Sequence, residues 1–326
     1  MYNTKKIIKN AFRISKVRGE SAIRLRIPGG NLNAGYLDTI KKLAQNFGDG
    51  SVHLSIRQGF EIPGVKLSQL LEIKQFMAGM VYDIEAESGI ILEKPEEGYP
   101  SAGTRNVSAC IGDRVCCFSN CDTTALARKI EQAIYPNDYH LKIAVCGCPN
   151  DCIKAHVQDI GIIAGVIPKY DSSRCIGCKA CIDNCRLRVT NALSMKNYKI
   201  IRDENYCLNC GECILKCPAG AFSRGRRIYR IVIGGRTGKS NPRLANTFME
   251  CAEEDVVLGI CKNVYLFIHR YIDHDLPKEH LGYIIDRIGL KDFTREVTEG
   301  VNLNSEIKIA KDLYNPGYFY PVKTAC

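Results

Sequence analysis

Two cysteine runs in this chain match each other closely: Cys175-Ile-Gly-Cys178-Lys-Ala-Cys181-Ile-Asp-Asn-Cys185 and Cys207-Leu-Asn-Cys210-Gly-Glu-Cys213-Ile-Leu-Lys-Cys217-Pro218. Each reads C-x2-C-x2-C-x3-C. A four-iron cubane needs four thiolates at its corners, three from one tight loop and a fourth from elsewhere. In two-cluster ferredoxins the last cysteine of each run ligates the other cluster. The spacing therefore predicts Cys175, Cys178, Cys181 and Cys217 around one [4Fe–4S] cluster, and Cys207, Cys210, Cys213 and Cys185 around another. Structural zinc is the alternative, although zinc modules usually separate two C-x2-C pairs by about 12–20 residues. The first run also has Arg186 where the second has Pro218. Two adjacent clusters with no substrate pocket of their own make an electron relay.

A looser quartet lies upstream, as Cys110-x5-Cys116 and Cys148-x3-Cys152. Its spacing admits either a third cluster or four buried thiols, and Cys117 leaves the choice between positions 116 and 117 open. Cys117, Cys121, Cys146, Cys251, Cys261 and Cys326 read as buried or idle thiols. Basic residues recur on three expected strands. Side chains alternate faces along a strand. Arg24 and Arg26 thus oppose Ile23, Leu25 and Ile27. His53, Ser55 and Arg57 oppose Val52, Leu54 and Ile56, and His140 and Lys142 oppose Leu141, Ile143 and Val145. No acidic residue interrupts the cationic positions. A solvated face normally mixes both signs, so the pattern admits a concave surface for a highly anionic cofactor or small oxyanion beside the plainer reading of a basic exterior.

The elements that must position these residues form an α+β chain. Residues 1–85 read as β-α-β-β-α-β, a ferredoxin-like split βαβ domain. Its strands run from Ala22 to Ile27, Val52 to Arg57, Phe60 to Ile62 and near Val81; its helices carry Leu37 to Phe47 and Ser68 to Met77. A polar linker covers 86–103. Residues 104–169 hold a helix at 123–134 and strands at Leu141 to Val145 and Asp159 to Val166. They continue, after a cysteine-dense insert at 170–225, into a strand from Arg227 to Ile233. Asn241 then caps a helix with Pro242 at its first position, and helices near 254–272 and 278–288 follow.

With 45% apolar residues in 326, the chain is an ordinary globular protein of two or three domains. No apolar run approaches the roughly 18 residues of a membrane span, and the N-terminus has no apolar export segment. The expected location is the cytoplasm, where clustered thiols hold metal more often than they form disulfides. The charge of +10 suits anionic clusters and ligands. No basic run interleaves aromatics in the manner of a nucleic-acid binder.

At these residues the sequence resembles the sirohaem-containing sulfite and nitrite reductases. The stretches concerned are Arg24-Leu-Arg26-Ile-Pro-Gly-Gly30, Ser55-Ile-Arg57-Gln58-Gly59, Thr104-Arg105-Asn106-Val107, Gly147-Cys148-Pro149-Asn150-Asp151-Cys152, Asp159-Ile-Gly161 and Gly234-Gly235-Arg236. The resemblance implies a sirohaem and [4Fe–4S] α/β domain with a bacterial-type two-cluster ferredoxin inserted in it, hence three clusters in all. It implies that Cys110, Cys116, Cys148 and Cys152 hold the third cluster and that Cys152 also bridges to the sirohaem iron. Substrate-facing roles fall on Arg24, Arg105, His140 and Lys142, with His140 standing where many relatives have Lys. Arg57 maps to a ligand of the cofactor's carboxylates, and Arg26, His53 and Arg236 are further candidates for that part. Larger relatives build the sirohaem pocket from two such repeats. With one here, a second copy, a different protein or the C-terminal helices must complete it.

The expected function is six-electron reduction of sulfite to sulfide, with electrons arriving from a partner flavin or iron–sulfur subunit. The rival readings are nitrite reduction to ammonia, a non-catalytic electron-transfer subunit, and a protein that stores or delivers sirohaem.

Overall fold

The computed structural model describes residues 11–92, 106–137, 139, 141–238, 242–273, 275 and 279–313. The chain opens with β1 (Phe12–Ile14) and β2 (Glu20–Leu25), then α1 (Leu37–Phe47), β3 (His53–Leu54), β4 (Phe60–Lys66) and α2 (Leu70–Ala86). The strands form one antiparallel sheet in the order β1-β2-β4-β3. In α1, Ile40, Leu43, Ala44 and Phe47 recur at helical spacing and are buried. They pack on Ile23, Leu25 and Ile62 of the sheet and on Ile73 and Met77 of α2.

The sequence reading departs from this unit in three places. Val81 is a helical residue of α2, not a strand; the fourth strand of the sheet is β1, which precedes the others. The strand expected from Val52 to Arg57 is only His53–Leu54, after which the chain turns back through Ser55–Gly59. Ser55 N–H donates to Gly59 O at 2.8 Å, Gln58 N–H donates to Ser55 O at 3.0 Å, and Gln58 has φ +62°. The alternation argued for His53, Ser55 and Arg57 therefore fails, and Leu54 (70% exposed) and Ile56 (95%) point to solvent instead of a core.

The second unit continues with β5 (Ser108–Ala109), α3 (Thr123–Ala133), β6 (Ile143–Cys146) and β7 (Ile160–Tyr170). The insert follows as α4 (Ala180–Arg188), β8 (Leu193–Lys196), β9 (Lys199–Arg202) and α5 (Glu212–Lys216). The chain then rejoins the sheet through β10 (Phe222–Ile233) and β11 (Asn246–Ala252). It continues through α6 (Glu254–Tyr271), α7 (Leu281–Ile288) and α8 (Leu290–Thr298) to β12 (Lys308–Ile309). The sheet order is β12-β11-β10-β7-β6-β5. Strands β7 and β10 are antiparallel neighbours paired from Ile160↔Ile233 to Tyr170↔Phe222, so the insert sits at the tip of a hairpin. The helix expected after Asn241 is not present: Arg243 bridges back to Arg236 and strand β11 follows. Asn241 itself lies outside the described residues, as do 93–103 of the expected linker; the C-terminal helices are three where two were expected.

The two faces of this sheet differ. Ile143, Val145, Ile160 and Ile162 pack against α3 and α6 in the main core. The opposite face carries smaller side chains, Ala144, Cys146, Ala155 and Ala245, with Ile163 and Val232. Small residues leave room there for the cysteine loops.

Candidate functional site

The cysteine loops of the insert repeat one backbone shape. Gly177 (φ +70°) and Lys179 (+63°) in the first run correspond to Asn209 (+56°) and Gly211 (+80°) in the second. Left-handed residues at both positions curl each C-x2-C-x2-C segment so that its three side chains point inward. A helix starts directly after each loop, α4 at Ala180 and α5 at Glu212. Cys175, Cys178, Cys181 and Cys217 line one small void of about 10 Å³, together with Tyr170, Ile200 and Phe222. Cys185, Cys207, Cys210 and Cys213 line another of about 20 Å³, with Val189, Ala192 and Leu193. These are the crossed sets that the spacing predicts. Among the described residues no three His, Cys, Asp or Glu side chains converge on a single-ion position; a multi-iron core asks for wider corners than one cation does.

The upstream quartet is built on the small-residue face. After β5, Gly112 (φ +71°) turns the chain, and Cys116 N–H donates to Gly112 O at 3.0 Å. Thr123, at the start of α3, donates its hydroxyl to Cys110 O at 2.5 Å. The second loop leaves β6 at Gly147, whose N–H donates to Cys110 Sγ at 3.2 Å. A Cβ at position 147 would fall 2.0 Å from Ser119 Oγ, so any other residue would have to displace the Ser119 side chain. Asp151 (φ +48°) closes the loop, accepting from Ala155 N–H at 2.6 Å and His156 N–H at 3.2 Å, with His156 Nδ1 at 2.6 Å. Burial would raise the Asp151 pKa, but these partners hold it below the usual carboxylate range. Cys148 has Cys116, Cys152 and Cys110 as its electrostatic neighbours. The structure thus brings Cys116 rather than Cys117 to the quartet. Cys152 is exposed, at the open side of the group.

A cleft of about 330 Å³ lies beside this quartet, lined by Arg13, Arg24, His53, Arg57, Glu61 and Asn106 among others. Gln58 ties its floor to the cysteines: its amide donates to Ala109 O at 2.7 Å and accepts from Ala109 N–H at 2.8 Å, one residue before Cys110. Asn106 donates to Ile27 O at 2.9 Å and Arg57 O at 2.5 Å, fixing the turn that carries Arg57. Arg57 Nη1 is buried with no hydrogen-bond partner. Burial, with Arg24 adding to it and Asp159 opposing, pulls the Arg57 pKa down to about 10. A half-buried guanidinium with an unmet donor fits an anionic group entering the cleft, such as a carboxylate or an oxyanion.

A larger cleft of about 650 Å³ separates the insert from the sheet face, between Pro149 and Cys207. Its three arginines are matched within the protein, Arg202 with Glu204, Arg226 with Glu253 and Glu306, and Arg230 with Glu250, which leaves Lys308 as the remaining lining cation. It is the roomier of the two and the poorer site for an anion.

Family models match both units. One described as "Nitrite and sulphite reductase 4Fe-4S domain" covers residues 101–304, and one described as "Nitrite/Sulfite reductase ferredoxin-like half domain" covers 15–79. The chain belongs to the nitrite and sulfite reductase family. It is 38% identical to one of the subunits of the anaerobic sulfite reductase of Salmonella typhimurium, over 94% of this chain and 91% of that protein. It is 28% identical to "Coenzyme F420-dependent sulfite reductase" of Methanocaldococcus jannaschii, over 86% of this chain and 43% of that larger protein. The crystal structure of dissimilatory sulfite reductase I superposes with a TM-score of 0.65 at 19% identity, over 93% of this chain and 74% of that one. At that identity the superposition speaks for the fold alone.

Within this nitrite and sulfite reductase chain, several basic residues sit otherwise than the sequence suggests. Arg26 does not offer its charge to the cleft. It is 5% exposed, bonded to Glu85 at 2.6 and 2.7 Å and to Glu131 at 3.0 Å. Burial works against its charge, but the two carboxylates more than compensate and raise its pKa. Arg236 is buried outside this cleft, its Nη1 3.1 Å from Asp286 and its guanidinium 3.9 Å from the centre of the Tyr283 ring. Arg24 does line the cleft, but Glu61 on the neighbouring strand holds it at 2.9 Å; the cationic face is interrupted after all, by an acidic residue the single-strand pattern could not show. His53 lines the cleft as expected. Lys142 lies just before β6, its backbone N–H donating to the buried Asp159 at 3.1 Å, and is not among the residues lining the cleft. Arg105 and His140 lie outside the described residues. Gln58 and Asn106 were missed as site residues. Both stand inside the quoted motifs, but their partners are 51, 79 and 49 positions away.

Proposed function

We propose that this chain carries sirohaem and catalyses six-electron reduction of sulfite to sulfide, as the catalytic subunit of a complex whose other subunits supply electrons. The observation that carries the reading is the junction of the two halves of the site. A cleft holding the half-buried Arg57 guanidinium, whose Nη1 is buried without a hydrogen-bond partner, is pinned through Gln58 to the strand that delivers Cys110. A plain electron carrier has no use for such a cleft. Sulfite is favoured over nitrite because the relatives covering most of this chain are named for sulfite, whereas a nitrite reductase of Zea mays matches 45% of it.

In this reading the insert at 170–225 is a two-cluster ferredoxin domain, with units at 1–85 and at 104–169 plus 226–326 around it. The two four-cysteine voids support one [4Fe–4S] cluster each, and Cys110, Cys116, Cys148 and Cys152 a third. Sirohaem, when bound, would supply the redox chemistry of the reaction. The exposed Cys152 is the residue of this group that would hold the sirohaem next to the third cluster. Arg57 binds anionic oxygens, either cofactor carboxylates or substrate, and its charge lowers the cost of oxygen leaving as water. Glu61 draws charge from Arg24, so Arg24 orients more than it neutralises. His53 stands in the lining of the same cleft. Among the described residues no helix is long and apolar enough to cross a membrane.

The test is the visible spectrum of anaerobically purified protein, before and after sulfite is added to the reduced form. Chlorin-type bands that shift with sulfite are the expected result. Broad iron–sulfur absorption alone, unchanged by sulfite in a cofactor-replete preparation, would overturn the catalytic assignment.

A further inference from the structure

One buried residue joins the insert's second cysteine loop, through its side chain, to the upstream quartet, through its backbone. Asn120, 5% exposed, stands between Cys116 and Cys121. Its side-chain amide donates to Cys210 O at 3.3 Å and accepts from Arg224 Nη1 at 2.9 Å. Its backbone N–H donates to Gly147 O at 2.7 Å, directly before Cys148, and its carbonyl accepts from Arg227 Nε at 2.8 Å. The approach is close: a Cβ on Gly211 would lie 2.8 Å from Val166 and 3.1 Å from Asn120 Oδ1. On the other side of the same loop, Val166 N–H donates to Asn209 O at 2.8 Å. The first run has a different setting. Its void lies at the hairpin tip against Tyr170 and Phe222, and Cys178 is exposed.

We propose that Asn120 is the positioning residue that sets the distance and contact between the second-run cysteines and the Cys110/Cys116/Cys148/Cys152 group, making the second run the exit of the relay. This rests on the cluster assignment proposed above. Electron transfer between buried centres falls steeply with separation, and a direct hydrogen-bonded path bridges the gap better than loose packing. Each transfer oxidises the second-run cluster by one electron and reduces the upstream cluster by one, with no bond broken and no proton required. A merely structural asparagine would be satisfied by partners in its own loop; this one bonds Cys210 through its side chain and Gly147, the residue before Cys148, through its backbone. Arg224 and Arg227, which hold its side-chain oxygen and carbonyl, come from β10, the strand that leads out of the insert. The link is therefore anchored from three directions.

The experiment uses the holoenzyme with its donor subunits, comparing wild type with Asn120→Ala and Asn120→Asp. The aspartate still accepts from Arg224 but cannot donate to the Cys210 carbonyl. Oxidised enzyme is mixed with reduced donor, frozen at intervals and read by electron paramagnetic resonance. The insert's clusters should reduce at the wild-type rate in both variants, while reduction of the upstream cluster slows several-fold. Iron content and the KM for sulfite should not change. Wild-type reduction of the upstream cluster in both variants, with full iron, would overturn the proposal alone. So would slowing accompanied by matching loss of iron from the insert, because Asn120 would then be holding the loop's fold. Wild-type protein with iron for only one cluster would bring down the cluster assignment and this proposal together.

Discussion

Replacing Arg26 with Met should destabilise the protein severely while leaving its cleft chemistry in place. The guanidinium sits between Glu85 and Glu131, with all three side chains at most 4% exposed. It thereby joins β2 to α2 and to α3, the last of which belongs to the other unit. Glu131 is further held by Val107 N–H at 2.5 Å. Removing the cation leaves two carboxylates buried without a counter-charge, and loss of one partner from a buried pair costs about 3–5 kcal/mol. In a domain of this size that lowers Tm by roughly 10 °C. The chain has no tryptophan, so far-UV circular dichroism is the suitable probe of melting. The sign with pH follows from Glu131. Burial already raises its pKa, against the pull of Arg26, and loss of Arg26 raises it further. A carboxylate whose folded pKa is raised favours the folded state as pH falls through that value, because the folded form then holds the proton that the unfolded form releases. The deficit of Arg26→Met should therefore be largest at about pH 8 and shrink towards about pH 5. A fall in Tm below about 3 °C, or a deficit equal at both pH values, would refute the buried-triad account. An unchanged melt with loss of the chlorin-type absorption would return Arg26 to the cofactor.

Arg57→Met should weaken sulfite or sirohaem binding by about tenfold or more, the worth of one charge-assisted hydrogen bond, as read by titration in the visible spectrum; unchanged affinity for both would remove Arg57 from the site. In the wild type the same affinity should decline as pH rises towards 10, where the Arg57 pKa lies, and a flat profile to that pH would contradict the assignment. Cys152→Ser should keep the iron of the insert and lose coupled sirohaem; full sulfite turnover in that variant would disprove the bridge. Joining Tyr170 to Phe222 through an Asn-Gly turn should leave the β7–β10 pairing intact, since those residues already face each other. That variant should retain sirohaem but lose donor-driven turnover, and donor-driven turnover at the wild-type rate would show that the insert is not the relay.

The grouping of the cysteines was readable because it is local. Each run spans one loop and one helical turn, so spacing alone determines which thiols can meet, and the crossed partner follows from the pairing rule for such runs. The cleft was readable only in part. The resemblance points to Arg57, but alternation along a single strand cannot show Glu61 on the neighbouring strand or the carboxylates of Glu85 and Glu131, 59 and 105 positions from Arg26. Val81 was misassigned because β-branched residues favour strands intrinsically, whereas the packing of α2 on the sheet outweighs that preference. The turn at Ser55–Gly59 was missed because Ile56 looks like a core residue until its 95% exposure is seen.

On the cluster assignment proposed above, the hairpin-tip placement of the insert would tie iron supply to the stability of the whole sheet. Without internal cross-links, about fifty residues would have to be closed as a loose loop before β7 could meet β10, at roughly 3 kcal/mol more than a two-residue turn requires. Metal–thiolate bonds that close the insert on itself remove most of that entropy, because its two ends are then already held side by side. A cell starved of iron would thus produce a chain whose central strands pair less readily, and assembly of the insert would act as a checkpoint on folding of the catalytic unit around it.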